Sequence, residues 1–206
     1  MKSSTLFTFG LLLLTNSVVA SEQDKQQLRR QLDSLLNYHA SFTQRVIDVN
    51  NQLIQASEGS IWLVKPAKFR WQYNDEDAAI IVADGENVYN IDGFVEQVSI
   101  FSQSEITMNN PFMLMISDDP SIWQDIDVTY KAPAYKIESK SPDAALRVLT
   151  LMFGDEGLLE LHSVDNQGQK NHLIFDDIVI NQPVDANLFK VDIPDDYVID
   201  DQRTKP

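Results

Sequence analysis

The segment "GSIWLVKPAKFRWQY", residues 59–73, contains two apolar runs on either side of a single proline. Side chains alternate between the two faces of a β-strand. If the first run is a strand, Ile61 and Leu63 point to one face of a sheet. Trp62 and Val64 then point to the other face. Both faces of the predicted sheet are therefore apolar, and each of them needs a cover.

Composition and charge exclude several classes of function. The chain has 206 residues and a formal net charge of -15. An acidic surface repels nucleic acid and anionic lipid head groups, so we predict no nucleic-acid partner and no electrostatic attachment to a membrane. The chain contains no cysteine. Disulfides, cysteine-ligated metal sites and lipid anchors attached through cysteine are thereby excluded.

The N-terminus has the layout of a cleavable secretory signal. Lys2 supplies a positive start, residues 6–14 are mostly apolar, and the small residue Ala20 precedes the polar "SEQDK". The apolar run is too short to cross a bilayer. The alternative is a buried N-terminal helix. We predict cleavage after residues 1–20, a location in the bacterial periplasm, and a single domain over residues 21–206.

Hydrophobic periodicity predicts an α+β domain. In residues 24–38 the apolar residues recur at helical spacing. Short strand-like runs follow, separated by turn sequences at a spacing typical of an antiparallel meander. "NNPFMLMIS" (residues 109–117) and "DDPSIWQDI" (residues 118–126) each place a proline where a helix can begin. In the second segment, Ile122, Trp123 and Ile126 form the apolar stripe of the predicted helix. We predict one large antiparallel sheet that must curl, with about three helices. The strand-like runs are residues 41–49, 60–64, 68–73, 79–84, 87–91, 95–101, 135–140, 146–153, 158–164 and 171–180.

The short helix predicted around residues 111–116 is apolar on all sides. Such a helix is either buried on both sides or faces something that is present only part of the time. The flexible thioether of methionine suits cargo of variable shape, whereas simple core packing is the alternative. Because the strands also carry more apolar side chains than one covered face needs, we predict a cavity that holds an apolar ligand. The predicted lining residues are Trp62, Val64, Phe69, Trp71, Val82, Phe94, Met108, Phe112, Met113, Met115 and Ile116.

Six segments of the chain resemble the LolA family, whose members are periplasmic carriers of outer-membrane lipoproteins. They keep the family's order and approximate spacing between about Leu28 and Arg203. The resemblance implies an unclosed (half) antiparallel β-barrel of about eleven strands, with about three helices forming a lid over a hydrophobic cavity. The segments are "HASFTQ", "SIWLVKPAKFRWQY", "ADGENVYN", "FVEQV", "NPFMLMI" and "VIDDQR".

The resemblance also implies a shuttle that acts as a monomer. An inner-membrane ABC transporter loads acylated lipoproteins onto the carrier, which passes them to an outer-membrane receptor. In the family, a basic residue before the proline of a "KP"-like turn hydrogen-bonds the lid shut. That residue is Lys65 here, where many members have arginine. Lysine lacks the planar fork of arginine, so we expect a weaker latch. Phe69 matches the aromatic residue at the mouth of the family's cavity, and Phe94 begins the matching "FVEQ".

Two other classes of function compete with the carrier. His162 and His172 flank "NQGQ", so a hairpin could set them opposite one another near Glu160. Zinc needs three or four placed ligands, so we predict no metal site. His39 lies near the predicted helix end and is expected to cap the helix or be solvated. The sequence has no Ser–His–Asp or nucleophile-elbow pattern, and we predict neither an enzyme nor a cofactor. The non-enzymatic alternative is a periplasmic protein-binding or assembly module that recognises partners by strand addition.

Overall fold

The computed structural model describes residues 16–75, 79–106, 111–117 and 119–203. One twelve-stranded sheet dominates these residues. In the described part of the chain, no helix combines the length and the apolar composition that crossing a bilayer requires. The helices are α1 (Asn16–Asp33), α2 (Gln103–Ile106) and α3 (Pro111–Ile116), together with 3-10 helices at Pro120–Trp123 and Ala186–Phe189. The strands are β1 (Asn37–Ile47), β2 (Leu53–Val64), β3 (Lys68–Tyr73), β4 (Ile80–Ala83), β5 (Asn87–Asp92), β6 (Gln97–Ser102), β7 (Ile126–Lys131), β8 (Ala134–Ser139), β9 (Leu146–Gly154), β10 (Gly157–Asp165), β11 (Lys170–Ile180) and β12 (Val198–Asp201).

The sheet consists of two meanders placed side by side. Its strand order is β12-β6-β5-β4-β3-β2-β1-β11-β10-β9-β8-β7. Strands β1 and β11 join the two meanders as an antiparallel pair, and β12 returns to pair with β6 in the parallel direction. The two outermost strands, β12 and β7, do not pair with each other. The predicted α+β fold with an unclosed, mostly antiparallel barrel is therefore confirmed, with twelve strands in place of about eleven.

The structure differs from the sequence prediction in several elements: α1 and β2 begin earlier, at Asn16 and Leu53, and strands β7 and β12 were not predicted. The N-terminal helix was expected to continue to Tyr38, but α1 ends at Asp33 and β1 begins at Asn37. Pairing with β2 on one side and β11 on the other satisfies the β1 backbone, and this outweighs the helical periodicity. Strand β7 was missed because Ile126 was assigned to the apolar stripe of a helix. Ile126 instead begins the strand that pairs with β8.

The inner face of the sheet, which carries Ile61 and Leu63, forms the main core. Both side chains are almost fully buried. Helix α1 adds Leu28 and Leu32 to the same cluster, and α3 packs onto it as well. Leu36 was predicted to belong to the α1 stripe, but it follows the helix and is 62% exposed. The core thus occupies the inside of the curl, between the sheet and the helices.

The part of the outer face that carries Trp62 is covered by the chain's own C-terminal segment, residues 181–197. Arg70 pairs with Trp62 in the ladder, and its Nη1 donates to the carbonyl of Leu188 at 3.1 Å. The Lys68 ammonium lies 6.0 Å from the centroid of the Phe189 ring, which is buried. The predicted ligand is therefore not what covers this face. A second, smaller set of buried apolar residues lies there instead: Val82, Val98 and Ile100.

Both edges of the sheet are restricted. Helix α1 lies along β7, where the Ser21 hydroxyl donates to the Val128 carbonyl at 3.2 Å. The backbone N–H of Tyr130 donates to the Asp24 carboxylate at 2.9 Å. The opposite edge is β12, which is only four residues long. Short or covered edge strands limit pairing with other chains.

Gly59 allows an aromatic ring to lie across the backbone of β2. It pairs with Phe42 on β1, and the Phe42 ring stacks on Trp71 with centroids 3.9 Å apart. A Cβ at Gly59 would lie 2.5 Å from Phe42 Cζ and closer still to the backbone oxygen of Gln72. Only glycine fits between this ring and the neighbouring strand.

We predict that Gly59→Ala destabilises the protein by about 1–3 kcal/mol, because the ring or the β3 backbone must move to admit the methyl group. Urea unfolding followed by tryptophan fluorescence measures the change. Ser60→Ala, one residue away, is the matched control and should shift the free energy of unfolding by no more than about 0.5 kcal/mol. Equal stability of the two variants would show that Gly59 has no special role.

Candidate functional site

A cavity of about 370 Å³ opens on the inner face of the sheet beside α3. This volume lies near the lower limit of pockets that hold small ligands. Its wall has an apolar part contributed by β3, β4 and α3, and a polar part contributed by β1 and the β9–β11 region. The lining residues are Gln44, Phe69, Trp71, Tyr73, Ile81, Phe112, Ala145, Leu146, Ser163, Asp165, Gln169 and Asn171.

Three aromatic rings form the apolar wall. Phe69 and Trp71 are two residues apart on β3 and therefore share the inner face. Phe112 from α3 stacks on Phe69 with centroids 5.8 Å apart and lies 5.2 Å from Trp71. All three side chains are buried. Each such aromatic pair contributes about 0.5–1.5 kcal/mol beyond area burial, so these contacts hold α3 against the sheet as a closed lid.

The polar end is organised around Gln44, which is buried on the inner face of β1. Its Oε1 accepts from the Tyr73 hydroxyl at 3.2 Å and from the Ser57 hydroxyl at 3.1 Å. Its Nε2 donates to Asn171 Oδ1 at 3.1 Å. Burial raises the pKa of the Tyr73 hydroxyl above its usual value, so this group is neutral at physiological pH. The Asp165 carboxylate accepts from backbone N–H groups of its own turn. The hydrogen-bonding groups of the network around Gln44 are thus all uncharged.

Several predicted lining residues do lie on the inner face. Phe69, Trp71 and Phe112 line the cavity. Met115 and Ile116 are buried in the core and border a small cleft beside the end of α1. Met108 lies outside the described residues, as does the side chain of Met113. The structure therefore brings together five of the predicted residues around α3 and β3.

Other predicted lining residues lie elsewhere. Trp62 and Val64 are on the outer face, where Trp62 stacks on His39 with centroids 4.7 Å apart. Val82 pairs with Arg70 and also faces outward. These positions are one residue out of phase with the inner set, so alternation sends their side chains to the opposite face. Phe94 is 82% exposed in the β5–β6 turn and lines no wall of the cavity. His39 lies in β1, not at a helix end.

The sequence prediction missed the polar wall. Gln44 is the last residue of the motif "HASFTQ", and Tyr73 follows Trp71 by two residues. The alternation of side chains along a strand could therefore have placed both on the inner face. Leu146, Ser163 and Asn171 could not, because they reach the cavity from the second meander. Only the long-range pairing of β1 with β11 brings them close.

Lys65 lies where α1, the β2–β3 turn and α3 meet. Its Nζ is 3.1 Å from Asp33 Oδ1, and its backbone N–H donates to the Leu36 carbonyl at 2.9 Å. The Lys65 side chain is 13% exposed, whereas that of Asp33 is 69% exposed. Met115 and Ile116 border the same cleft. The expected partners were backbone carbonyls of the lid, but in the described residues the side-chain partner is the carboxylate at the end of α1.

The structure also brings together the three residues weighed as a metal site. Glu160, His162 and His172 offer ligand atoms that all lie within 4.8 Å of one another. The two imidazole rings stack with centroids 3.8 Å apart. They lie on the outer face of the second meander, opposite the cavity. This cluster is therefore separate from the site described above.

Comparisons with known proteins agree with this architecture. A family model described as outer membrane lipoprotein carrier protein LolA matches residues 33–192. The outer-membrane lipoprotein carrier protein of Pseudoalteromonas translucida is 34% identical over 93% of this chain and 95% of its own length. That of Idiomarina loihiensis is 30% identical over 88% of this chain and 89% of its own length.

The fold also resembles a solved structure. An uncharacterized conserved protein from Thermus thermophilus superposes with a TM-score of 0.52 at 14% identity. The match covers 88% of this chain and 99% of that protein. At this level of identity the likeness concerns the fold alone.

We predict that Phe112→Ala enlarges the cavity and loosens the lid, because it removes the ring that packs on both Phe69 and Trp71. Stability should fall, by at most the roughly 3–5 kcal/mol typical of a buried Phe→Ala change. An environment-sensitive apolar dye should bind the folded variant several-fold more tightly than the wild type. Phe94→Ala, at an 82% exposed phenylalanine, is the control and should change neither quantity. Unchanged dye binding by folded Phe112→Ala would contradict the lid assignment.

Proposed function

Because the chain belongs to the LolA family of outer membrane lipoprotein carrier proteins, we propose that it carries acylated lipoproteins across the periplasm. An inner-membrane ABC transporter loads the cargo, and an outer-membrane receptor accepts it. The observation that supports this proposal best is the cavity on the inner face, whose apolar wall is completed by a short helix. The acyl chains enter this side of the sheet. A binding function of this kind uses no catalytic group and no cofactor.

In this mechanism, α3 occupies the space that cargo will take. Phe112, Leu114, Met115 and Ile116 fill the inside of the curl. Three acyl chains of about fifteen methylenes each would gain roughly 36 kcal/mol if fully buried, which exceeds the ceiling of about 21 kcal/mol for non-covalent binding. Displacing the four lid side chains costs roughly 6–12 kcal/mol, at about 1.5–3 kcal/mol each. This exchange alone would leave roughly 24–30 kcal/mol, which is still above that ceiling, so the acyl chains must also be only partly buried for release to be possible.

The polar end of the cavity has a role in the same mechanism. Ester and amide groups join acyl chains to a lipoprotein, and their carbonyl oxygens accept hydrogen bonds. Tyr73, Gln44 and Asn171 offer hydrogen-bonding groups beside the apolar wall. A cavity with one apolar end and one polar end therefore suits a lipid-modified segment better than a purely apolar molecule.

Recognition of partners by strand addition fits the structure less well than lipoprotein carriage does. A partner strand needs a row of free backbone groups at a sheet edge. At β7, α1 side chains engage the Val128 carbonyl and the Tyr130 N–H. At the other edge, β12 offers four residues. Because neither edge presents a long free strand, we favour the lipoprotein carrier.

We also propose that residues 1–20 are a signal removed on export, so that the mature domain begins at Ser21. Cleavage there would shorten α1 but keep its described contacts. Ser21, Asp24 and Lys25 bind β7 and the Trp123 carbonyl, and Leu28 and Leu32 pack in the core. The sequence order of charge, apolar run and small residue supports the same boundary.

Native mass spectrometry of the protein purified from the periplasm tests the proposed function. We expect a chain that begins at Ser21, carries no lipid of its own, and is partly bound to acylated lipoprotein. Mild detergent should release the cargo, because the acyl chains are held by apolar contact. A chain that copurifies only with unmodified protein partners would favour the strand-addition alternative, and an uncleaved N-terminus would contradict the boundary.

We predict that Lys65 acts as a latch through Asp33, and that removing the pair favours the loaded state. An ion pair whose acid is mostly exposed contributes about 0.2–1 kcal/mol, so Lys65→Leu should tighten cargo retention only about 1.4- to 5-fold. Lys65→Arg should retain normal transfer to the receptor. Cargo retention and receptor transfer are measured at equal concentrations of folded protein.

A double-mutant cycle tests whether Lys65 acts through Asp33 or through another group. If the ion pair is the latch, Asp33→Asn should have the same effect as Lys65→Leu, and the double variant should add nothing further. An effect of Lys65→Leu alone would mean that lysine acts on another group. No effect of either change would mean that this position holds no latch.

A further inference from the structure

A hairpin on the outer face places two histidines and a glutamate at metal-binding distance. His162 on β10 and His172 on β11 are directly paired in the ladder. Glu160 is two residues before His162, so alternation places it on the same face. Strand pairing on both sides fixes the backbone of all three residues. Their relative positions are therefore set by the sheet and not by a loop.

The three ligand atoms all lie within 4.8 Å of one another. Glu160 Oε2 lies 2.9 Å from His162 Nε2 and 3.1 Å from His172 Nε2. In tetrahedral zinc sites, bonds of about 2.0–2.2 Å place neighbouring ligand atoms about 3.3–3.6 Å apart. The two contacts of Glu160 are therefore a few tenths of an ångström shorter than the spacing in such a site. The side chain of His162 is 42% exposed, that of Glu160 is 31% exposed and that of His172 is 30% exposed. A metal ion can therefore reach all three from solvent.

We propose that Glu160, His162 and His172 form a binding site for a divalent transition metal ion, with Zn²⁺ the best match. Two imidazole nitrogens and one carboxylate oxygen are ligands of the kind that zinc accepts, and a fourth position is left for water. Each ring can ligate through Nε2 once its proton moves to Nδ1, without a change in ring charge.

The residues that pair with this cluster in the sheet affect its affinity for a metal ion. Thr150 pairs with His162 from β9, and Arg45 pairs with His172 from β1. Arg45 is the charged residue opposite the cluster in the ladder, and it is exposed, so solvent screens its repulsion of a cation. The site lies on the outer face, so a bound ion would join β10 to β11 without entering the cavity. We expect it to stabilise the fold and leave cargo binding unchanged.

Zinc titration of the mature chain without a histidine tag, after removal of metal with a chelator, tests the site. Competition with a colorimetric zinc indicator should show one saturable site with a dissociation constant in the micromolar range or lower. His162→Asn, His172→Asn and Glu160→Gln should each weaken binding about tenfold or more. His39→Asn removes the third histidine of the chain and is the matched control, with less than about a twofold change expected.

Two further measurements use zinc itself as the probe. Zinc should raise the Tm of the wild type and of His39→Asn, but not that of the three site variants. On the wild type, zinc should protect His162 and His172, but not His39, from modification by diethylpyrocarbonate. The modified residues are identified from the masses of peptides. Because this measurement uses only the wild type, it does not depend on the folding of any variant. The proposal is overturned if the wild type binds no stoichiometric zinc, or if the site variants bind it as well as His39→Asn does.

Discussion

A curled sheet that does not close has two faces, and one chain must cover both. In this protein the two covers differ in how they are attached. The outer cover is the segment between β11 and β12, which is tied to the sheet at both of its ends and bonded to Arg70 through the Leu188 carbonyl. The inner cover includes α3, which is held mainly by the packing of its side chains on the sheet and on α1. The outer cover is therefore held by the chain on both sides and by a hydrogen bond, whereas α3 is held mainly by side-chain packing.

The proposed exchange of α3 for cargo is favoured by the shortness of this helix. A helix of six residues has little stability of its own, because nucleation is not repaid over so few hydrogen bonds. Its position depends on the contacts of Phe112 with Phe69 and Trp71. In the proposed carrier mechanism, an acyl chain that enters would compete for the same aromatic surfaces. Lid and ligand would then be alternative occupants of one site, and affinity would be set by the difference between them.

Local sequence signals predicted much of the fold. Strand β3 was predicted with its observed limits, and Pro111 marks the start of α3. Asp119 caps the Pro120–Trp123 helix by accepting from the Ser121 N–H. Turn residues and proline constrain the chain within a few residues, so these features can be read directly. The late end predicted for α1 reflects the pairing of β1 with the distant strand β11, which no local pattern records. Strand β7 pairs with its neighbour in the chain, β8, and was missed because residues 118–126 were interpreted as one helix.

The same limit applies to the site. The aromatic wall was found because Phe69 and Trp71 lie in a strand with clear alternation. Trp62 and Val82 were misplaced because apolar character does not say which face is inner when a distant segment covers the outer one. The place of Asn171 in the cavity wall is not visible until the register of β1 with β11 is known. The pairing of His162 with His172, by contrast, was inferred from the local hairpin around "NQGQ". Long-range strand pairing, more than residue type, therefore decides which residues line the cavity.

The strand order also affects the order in which strands can pair as the chain is synthesised. Within each meander, neighbouring strands follow one another along the chain and can pair soon after synthesis. The two joins that complete the sheet, β1 with β11 and β6 with β12, both wait for the C-terminal part of the chain. Until β11 arrives, the eleven-residue strand β1 has one open edge. The interval before the last segment is synthesised is therefore when a new chain is most vulnerable to aggregation through that edge.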